Sequence, residues 1–392
     1  MKVKRVAQDF VVEELPGVEP AAEGPFAFYR LYKEGLGTPE AIRAICRKWR
    51  LPPRQVSYGG LKDRHACTTQ YLTIRHGPRR GLQQTHLRLD YLGQRPEPYH
   101  SSQIAGNRFL IVLRDLAAKE VEHALEAAEE VRADGVPNYF DDQRFGSVNR
   151  NRQFVARFLI AGDYPRALQL ALAEPYRHDP APVREQKRLL RQKWGRWDEL
   201  ADRLGGELGP IVAHLRKRPD DYRGAFALIA ADLKSLYLAA FQSYLWNKML
   251  AGWLRSQCRP EQLLQVRLQL GPVPVFRRLT PQQRDRFRQQ TLPLPSARLH
   301  LAENDPLRPL IDEVLQEEGL TLKEMKLRHF REPFFSKGDR AAVFHPRDLT
   351  AERAADELHP GREKLTLRFV LPRGSYATML LKRITAVPPE DA

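Results

Sequence analysis

The chain is poor in cysteine: three residues in 392, Cys46, Cys67 and Cys258, lie far apart and form no C-x-x-C pair. That argues against a disulfide framework and a zinc knuckle, so no metal is expected, and a reducing, cytoplasmic setting fits best. Long apolar runs are lacking as well. The most apolar segment, residues 235–247, carries no charge but contains Gln242 and Ser243 and is too short to cross a bilayer. The N-terminus is basic (Lys2, Lys4, Arg5), yet Gln8 and Asp9 follow before any apolar region forms, which argues against a secretory signal. No internal repeat or low-complexity tract is present, and the 30 prolines are spread through loops rather than gathered in one linker.

What is abundant is positive charge. The 64 Lys and Arg outnumber the 48 Asp and Glu, for a net charge of +16, and the excess is mostly Arg. Such a balance favours a polyanionic partner, because each phosphate contact made by Lys or Arg releases a counterion. With 42% hydrophobic residues over 392 positions there is material for two or three packed cores.

Along the chain, residues 9–14 and 27–32 read as strands, followed by a helix with Thr38 as its cap, Pro39 at its first position and Ile42, Ile45, Cys46 and Trp49 at helical spacing. Residues 68–74 and 109–113 read as further strands and residues 119–133 as a helix stopped by Gly135. Past Gly146 helices dominate. The spacing predicts a helix over 185–204, with Arg184, Lys187, Arg188 and Arg191 on one face and Trp194 and Trp197 interleaved, either a solvated face or a phosphate-tracking one. Residues 226–254 are apolar around most of the circumference, the mark of a buried helix, and 305–319 is another helix. Strand patterning returns at 341–345 and 365–371. An α/β start, a helical middle and a β finish predict an α/β (α+β) fold in which the first and last thirds share one sheet and the middle is inserted. The expected boundaries are 1–149 with 340–392 for the sheet domain and 150–339 for the insertion.

The stretch Tyr58-Gly59-Gly60-Leu61-Lys62-Asp63-Arg64-His65-Ala66-Cys67-Thr68 places a carboxylate, with a cation on each side in sequence, at a loop-to-strand junction. Nearby positive charge holds a carboxylate ionised, the state a nucleophile or base needs. A turn-capping Asp63 among surface charges is the plain alternative.

Separated motifs carry a family likeness. Gly60-Leu61-Lys62-Asp63-Arg64-His65-Ala66 with Thr68 and Gln70, Asn138-Tyr139-Phe140 with Gln143-Arg144-Phe145-Gly146, and Leu371-Pro372 with Gly374-Ser375-Tyr376-Ala377-Thr378 resemble the TruD family of tRNA pseudouridine synthases. Lys4 with Asp9-Phe10 and Glu14, then Gly24 and Lys33-x-Gly35-x-x-Thr38, is similar to that family's first motif, and Gln242-Ser243-Tyr244-Leu245-x-Asn247 to one in its inserted domain. Asp141, Cys67 and Gly59 depart from residues common there.

The resemblance implies a mixed-sheet pseudouridine synthase domain built from both chain ends, a mainly helical inserted TRUD domain, and isomerisation of uridine-13 in tRNA to pseudouridine. It implies an isomerase that needs no cofactor, with Asp63 as the catalytic carboxylate, Phe140 stacking on the flipped base and Asn138 ordering the Asp63 site. Lys62, Lys4 and Glu14 would shape the pocket's charge. The expected partner is tRNA, gripped by both domains, with no membrane and no metal, and the protein is expected to act as a monomer. The rival reading is a non-catalytic tRNA-binding or folding protein of the same fold.

Overall fold

The computed structural model describes residues 1–176, 179–327 and 334–387, which divide into two compact units, 1–136 with 344–392 and 137–343. Among the described residues no helix is long and apolar enough to cross a membrane.

The first unit is built on one ten-stranded mixed sheet. Its elements are β1 (Lys2–Val3), β2 (Phe10–Pro16), β3 (Phe26–Glu34), α1 (Thr38–Trp49), β4 (Val56–Tyr58), β5 (Cys67–Arg75), β6 (Leu82–Gln84), β7 (Leu87–Arg95), β8 (Ile104–Leu116), α2 (Ala118–Asp134), β9 (Arg347–Ala355), β10 (Glu363–Pro372) and α3 (Ala377–Ile384). The order is β9-β10-β8-β2-β5-β3-β7-β6, with β1 beside β8 and β4 beside β5. The strands of the last third therefore continue the sheet of the first. Only β2 and β5 run parallel, with Val11 opposite Cys67 and Val12 opposite Thr68; every other pairing is antiparallel.

Period-two alternation sorts the faces. Ala27, Tyr29 and Leu31 of β3, Leu72 and Ile74 of β5 and Leu87 and Leu89 of β7 meet Ala41, Ile42, Ile45 and Cys46 of α1 in one buried core. Burying each of the Leu and Ile side chains is worth roughly 1.5–3 kcal/mol. Toward the other end of the sheet, α2 packs on β9, β10 and α3.

The cap of α1 differs from the sequence reading. Gly37 is the cap residue, its N–H bonded to Glu40 Oε2 at 2.9 Å, and the Thr38 hydroxyl is turned to another task described below. Strands β6 and β7 were not anticipated.

The second unit is mainly helical. Its longest helix, Ala231–Gln257, buries Phe241, Leu245, Trp246, Met249 and Leu250 almost completely, so it is enclosed on several sides. It begins at Ala231 rather than 226, because Ala230 is extended and the short helix Tyr222–Ala227 precedes it. The helix expected over 185–204 is two, Ala181–Gln192 and Trp197–Ala201, broken at Gly195, whose φ of 88° a helix cannot hold. Trp197 is buried and packs edge-on with Trp194, so these tryptophans anchor a core. Lys187 also leaves the expected basic face. It is buried, 2.8 Å from Asp179 and 3.6 Å over the Tyr176 ring.

Candidate active site

The single parallel pairing decides what surrounds Asp63. Because β2 and β5 run the same way, the segments that enter them lie side by side, and residues 4–9 come up against the 59–66 loop. Lys4 Nζ is thereby hydrogen-bonded and ion-paired to Asp63 Oδ2, while Oδ1 accepts the His65 N–H at 3.0 Å. Burial pushes the Asp63 carboxyl up, but these two hydrogen bonds and the charges of Lys4 and His65 outweigh it and hold the carboxyl below the ordinary value of 3.8. Asp63 is ionised at neutral pH and its side chain keeps 32% exposure, enough to meet a ligand.

The bracing cation is not the one adjacency suggests. Lys62 and Arg64 both point elsewhere: Lys62 Nζ lies 2.8 Å from Glu14 Oε2 and donates to Asn107 Oδ1 at 2.6 Å, and Arg64 pairs with Glu40. Glu14 belongs to the buried phase of β2, after Phe10 and Val12. Its other oxygen accepts the Tyr71 N–H at 3.2 Å and the Tyr99 hydroxyl at 3.0 Å. Burial, with Glu14 adding to it, holds the Tyr99 phenol far above its ordinary value, so it stays a donor. Lys62 is thus tied into a buried ion pair beneath the loop.

Lys4 sits in the left-handed region, with φ 59°, which costs a side-chain-bearing residue roughly 1–2 kcal/mol. Two features hold it there. Its ammonium lies 4.2 Å over the Phe10 ring, and the turn behind it is fixed by Asp9, whose Oδ2 accepts the N–H groups of Arg5 and Val6. Asp9 is itself gripped by the buried Arg114, which also reaches Asp356 and Glu357.

The backbone of the Asp63 loop is clamped from below by residues whose part the sequence reading did not assign. Lys33 is fully buried and donates to the carbonyls of Leu36 (2.7 Å), Asp63 (2.9 Å) and Lys62 (3.4 Å). Burial drives its ammonium down to about 8, with Asp63 opposing the shift and Lys62 adding to it. The Thr38 hydroxyl accepts the Lys62 N–H at 2.9 Å and donates to Gln70 Oε1 at 2.8 Å. Gly59 is a close approach: a Cβ there would lie 2.6 Å from Ile104 Cδ1. The signal for Lys33 was present in the pattern, since it continues the buried phase of Ala27, Tyr29 and Leu31 with a charge where an apolar residue is due.

Asn138 and Phe140 belong to the second unit and are described within it. Asn138 is buried. Its N–H and Nδ2 donate to the carbonyls of Ala342 and Ala341 (2.8 and 3.0 Å), and its Oδ1 accepts from Arg340 at 2.7 Å. The Phe140 backbone is held by both ends of one amide: its N–H donates to Asn247 Oδ1 (2.9 Å) and its carbonyl accepts from Asn247 Nδ2 (2.8 Å). The Arg340 guanidinium lies 4.1 Å over the Phe140 ring and Trp246 meets it edge-on. Gln242, from the same helical motif as Asn247, donates to the carbonyls of Pro295 and Ser336. That motif's amides therefore fix loops. Arg340 and Asn247 in this role carry no local sequence signal, because their partners lie about 200 and 107 residues away.

A large mixed sheet carrying an ionised, lysine-braced carboxylate at the head of its one parallel strand pair, together with a mainly helical unit, defines a mixed α/β protein. The tRNA pseudouridine synthase D (TruD) family model matches residues 1–384. A Methanococcus maripaludis protein named "Probable tRNA pseudouridine synthase D 1" is 29% identical over 98% of this chain and 99% of its own. The tRNA pseudouridine synthase D of Aquifex aeolicus is 26% identical over 98% of each chain. A crystal structure of a Methanosarcina mazei protein assigned to tRNA pseudouridine synthase D superposes with a TM-score of 0.72 at 25% identity, covering 100% of this chain and 94% of that one. The chain belongs to the TruD family.

Proposed function

We propose that this protein is a tRNA pseudouridine synthase that isomerises uridine-13 of tRNA, with Asp63 as its catalytic carboxylate. The observation that carries the reading is the Asp63 carboxylate itself, ionised by Lys4 and the His65 amide and still exposed enough to meet a nucleotide.

The reaction breaks the ribose C1′–N1 bond, turns the uracil while it is held, and joins C1′ to C5; the C5 proton departs and N1 regains one, so atoms and electrons balance without redox chemistry. An ionised carboxylate serves this in one of two ways: it adds to C1′ and traps an oxocarbenium-like sugar, as in retaining glycosidases, or it removes a sugar proton to give a glycal. Both routes need the ionised form, which Lys4 and the His65 N–H hold against the push of burial. Lys33 and Thr38 hold the loop carbonyls and amide so that the carboxylate keeps one orientation, which is worth more to rate than to binding. Lys62 and Glu14 form the neutralised floor. By the family likeness Phe140, whose ring carries the Arg340 guanidinium, would stack on the extracted base, and Asn138 would order the Asp63 site. Unstacking the uridine costs a few kcal/mol, which remote phosphate contacts offset.

The test is Asp63→Asn. The variant should fold and bind tRNA nearly as the wild type does and form no pseudouridine at position 13, read by chemical mapping of tRNA. Turnover at the wild-type rate would remove Asp63 from the chemistry.

A further inference from the structure

The helix Ala181–Gln192 presents Arg184, Arg188 and Arg191 at i, i+4 and i+7, on one exposed face. Facing them is the 149–151 segment with Arg150, and the two together line a recess of about 410 Å³. The segment is pinned from behind, since Asn149 Oδ1 accepts the Gln153 N–H at 2.9 Å and its Nδ2 donates to Gln153 Oε1. Four guanidinium groups thus converge on one space against one lining carboxylate, Glu174, which sits 3.6 Å from Arg191. Arg188 is paired with Glu185 on its own helix. Among the described residues Arg150 and Arg184 have no anionic partner. A larger recess of about 1430 Å³ in the same unit carries Arg152, Lys248, Arg255 and Arg286 but also Asp305, Glu313 and Glu317, so it lacks a single sign of charge.

Guanidinium forks match phosphate oxygens in pairs, and four of them with two unneutralised create a strong local demand for anions. The lining offers no aromatic platform and only Ala173 and Pro175 as apolar groups, so no ring there stacks on a base. We propose that this recess grips consecutive phosphates of an RNA backbone, through Arg150 and Arg184 first and Arg188 and Arg191 at its rim. The proposal deepens the reading as a tRNA-modifying enzyme and rests on it: the recess supplies sequence-independent binding energy remote from the chemistry. Lys187, turned inward to Asp179, takes no part.

The experiment measures tRNA Kd from low to physiological salt for the wild type and for Arg150→Gln/Arg184→Gln and Arg150→Lys/Arg184→Lys, with pseudouridine formation measured on the same samples. Each phosphate contact contributes roughly 0.7–0.9 to the slope of log K against log salt, so the Gln pair should flatten it by about 1.4–1.8 and raise KM, with kcat kept at saturating tRNA. The Lys pair keeps the charge and should keep most of the slope. An unchanged slope in the Gln pair overturns the proposal, provided its thermal unfolding matches the wild type. A calorimetric titration with inorganic pyrophosphate covers the other source of the same chemistry. Micromolar pyrophosphate binding that the Gln pair abolishes, with the tRNA slope untouched, makes the recess a small-anion site and also overturns it. If the wild type makes no pseudouridine while the Gln pair still flattens the slope, the RNA grip stands and the enzyme reading falls.

Discussion

Lys33 is the residue whose removal tests the architecture of the site most directly. Its ammonium is fully buried and, among the described residues, bonded only to the carbonyls of Leu36, Lys62 and Asp63, and burial lowers it from 10.5 to about 8. The folded state therefore holds fewer protons on this group than the unfolded state between pH 8 and 10.5. Since stability rises with pH wherever the unfolded chain binds more protons, burying the charge is a cost paid in full below pH 8 and relieved as pH rises to 10.5. At about 1.4 kcal/mol per pH unit the relief is roughly 3 kcal/mol. Lys33→Met fills the space without the charge and leaves three carbonyls without a donor, each a penalty of about 1–3 kcal/mol if water does not replace it. Urea unfolding of both proteins at pH 7, 8, 9 and 10 tests the effect, because titrating groups that do not interact with Lys33 cancel in the difference. The wild type should gain on the variant by about 2.5 kcal/mol across that interval. A difference curve that stays flat from pH 7 to 10 would refute the buried-ammonium argument. At pH 7 the variant should also lose turnover, since its Asp63 loop has lost its clamp.

Lys4→Met takes from Asp63 its strongest hydrogen bond and nearest charge and leaves burial to push the carboxyl up, so the acid limb of kcat/KM should move to higher pH; an unmoved limb would assign the ionisation to another group. Phe140→Ala should lower turnover more than tRNA affinity, and an affinity loss with unchanged turnover would count against its stacking on the base. Arg114→Met strands the buried carboxylates of Asp9 and Asp356 and should cost about 3–5 kcal/mol at pH 7 in urea unfolding. The Asp356 carboxyl lies far below 3.8, held there against burial by N–H groups of Asp115 and Leu358, His359 and Arg114, so its contribution is present above 3.8 and lost as pH falls toward its folded value. The gap between the two proteins should therefore narrow in acid, and a gap that does not change with pH would place the loss in packing alone.

The local elements were legible where local physics made them. β-Branched content marked β2, alternation marked β10, and the helical spacing of Ile42, Ile45 and Cys46 marked α1, because those patterns are read within ten residues. What failed depended on distant pairing. Sequence adjacency nominated Lys62 and Arg64 as the cations beside Asp63, whereas the parallel register of β2 and β5 brings Lys4 there from 59 residues away. Thr38 looked like a cap because its neighbours have the capping pattern, but the cap is Gly37 and the Thr38 hydroxyl accepts from the Lys62 amide and donates to Gln70. The basic helix was drawn too long because Trp194 and Trp197 extend its periodicity across Gly195. Two in-phase charges lie on the core side of strands: Glu14, which the family likeness had assigned to the pocket, and Lys33, to which no part had been assigned. An ionisable residue in that position is there for its partners.

The distribution of charge separates two tasks. Around Asp63 nearly every cation is spoken for: Lys4 by Asp63, Lys62 by Glu14, Arg64 by Glu40, and Lys33 by three carbonyls. Such close, partly buried pairs are screened little by salt. The surplus behind the net charge of +16 must therefore act elsewhere, and Arg150 and Arg184, exposed and without carboxylate partners among the described residues, are where some of it stands. A site that spent its charge on orienting one carboxylate and left long-range attraction to separate arginines would keep its chemistry constant while RNA binding varies with ionic strength. That separation is what a polyanionic substrate demands, because unpaired cations beside Asp63 would draw phosphates into the place the sugar must occupy.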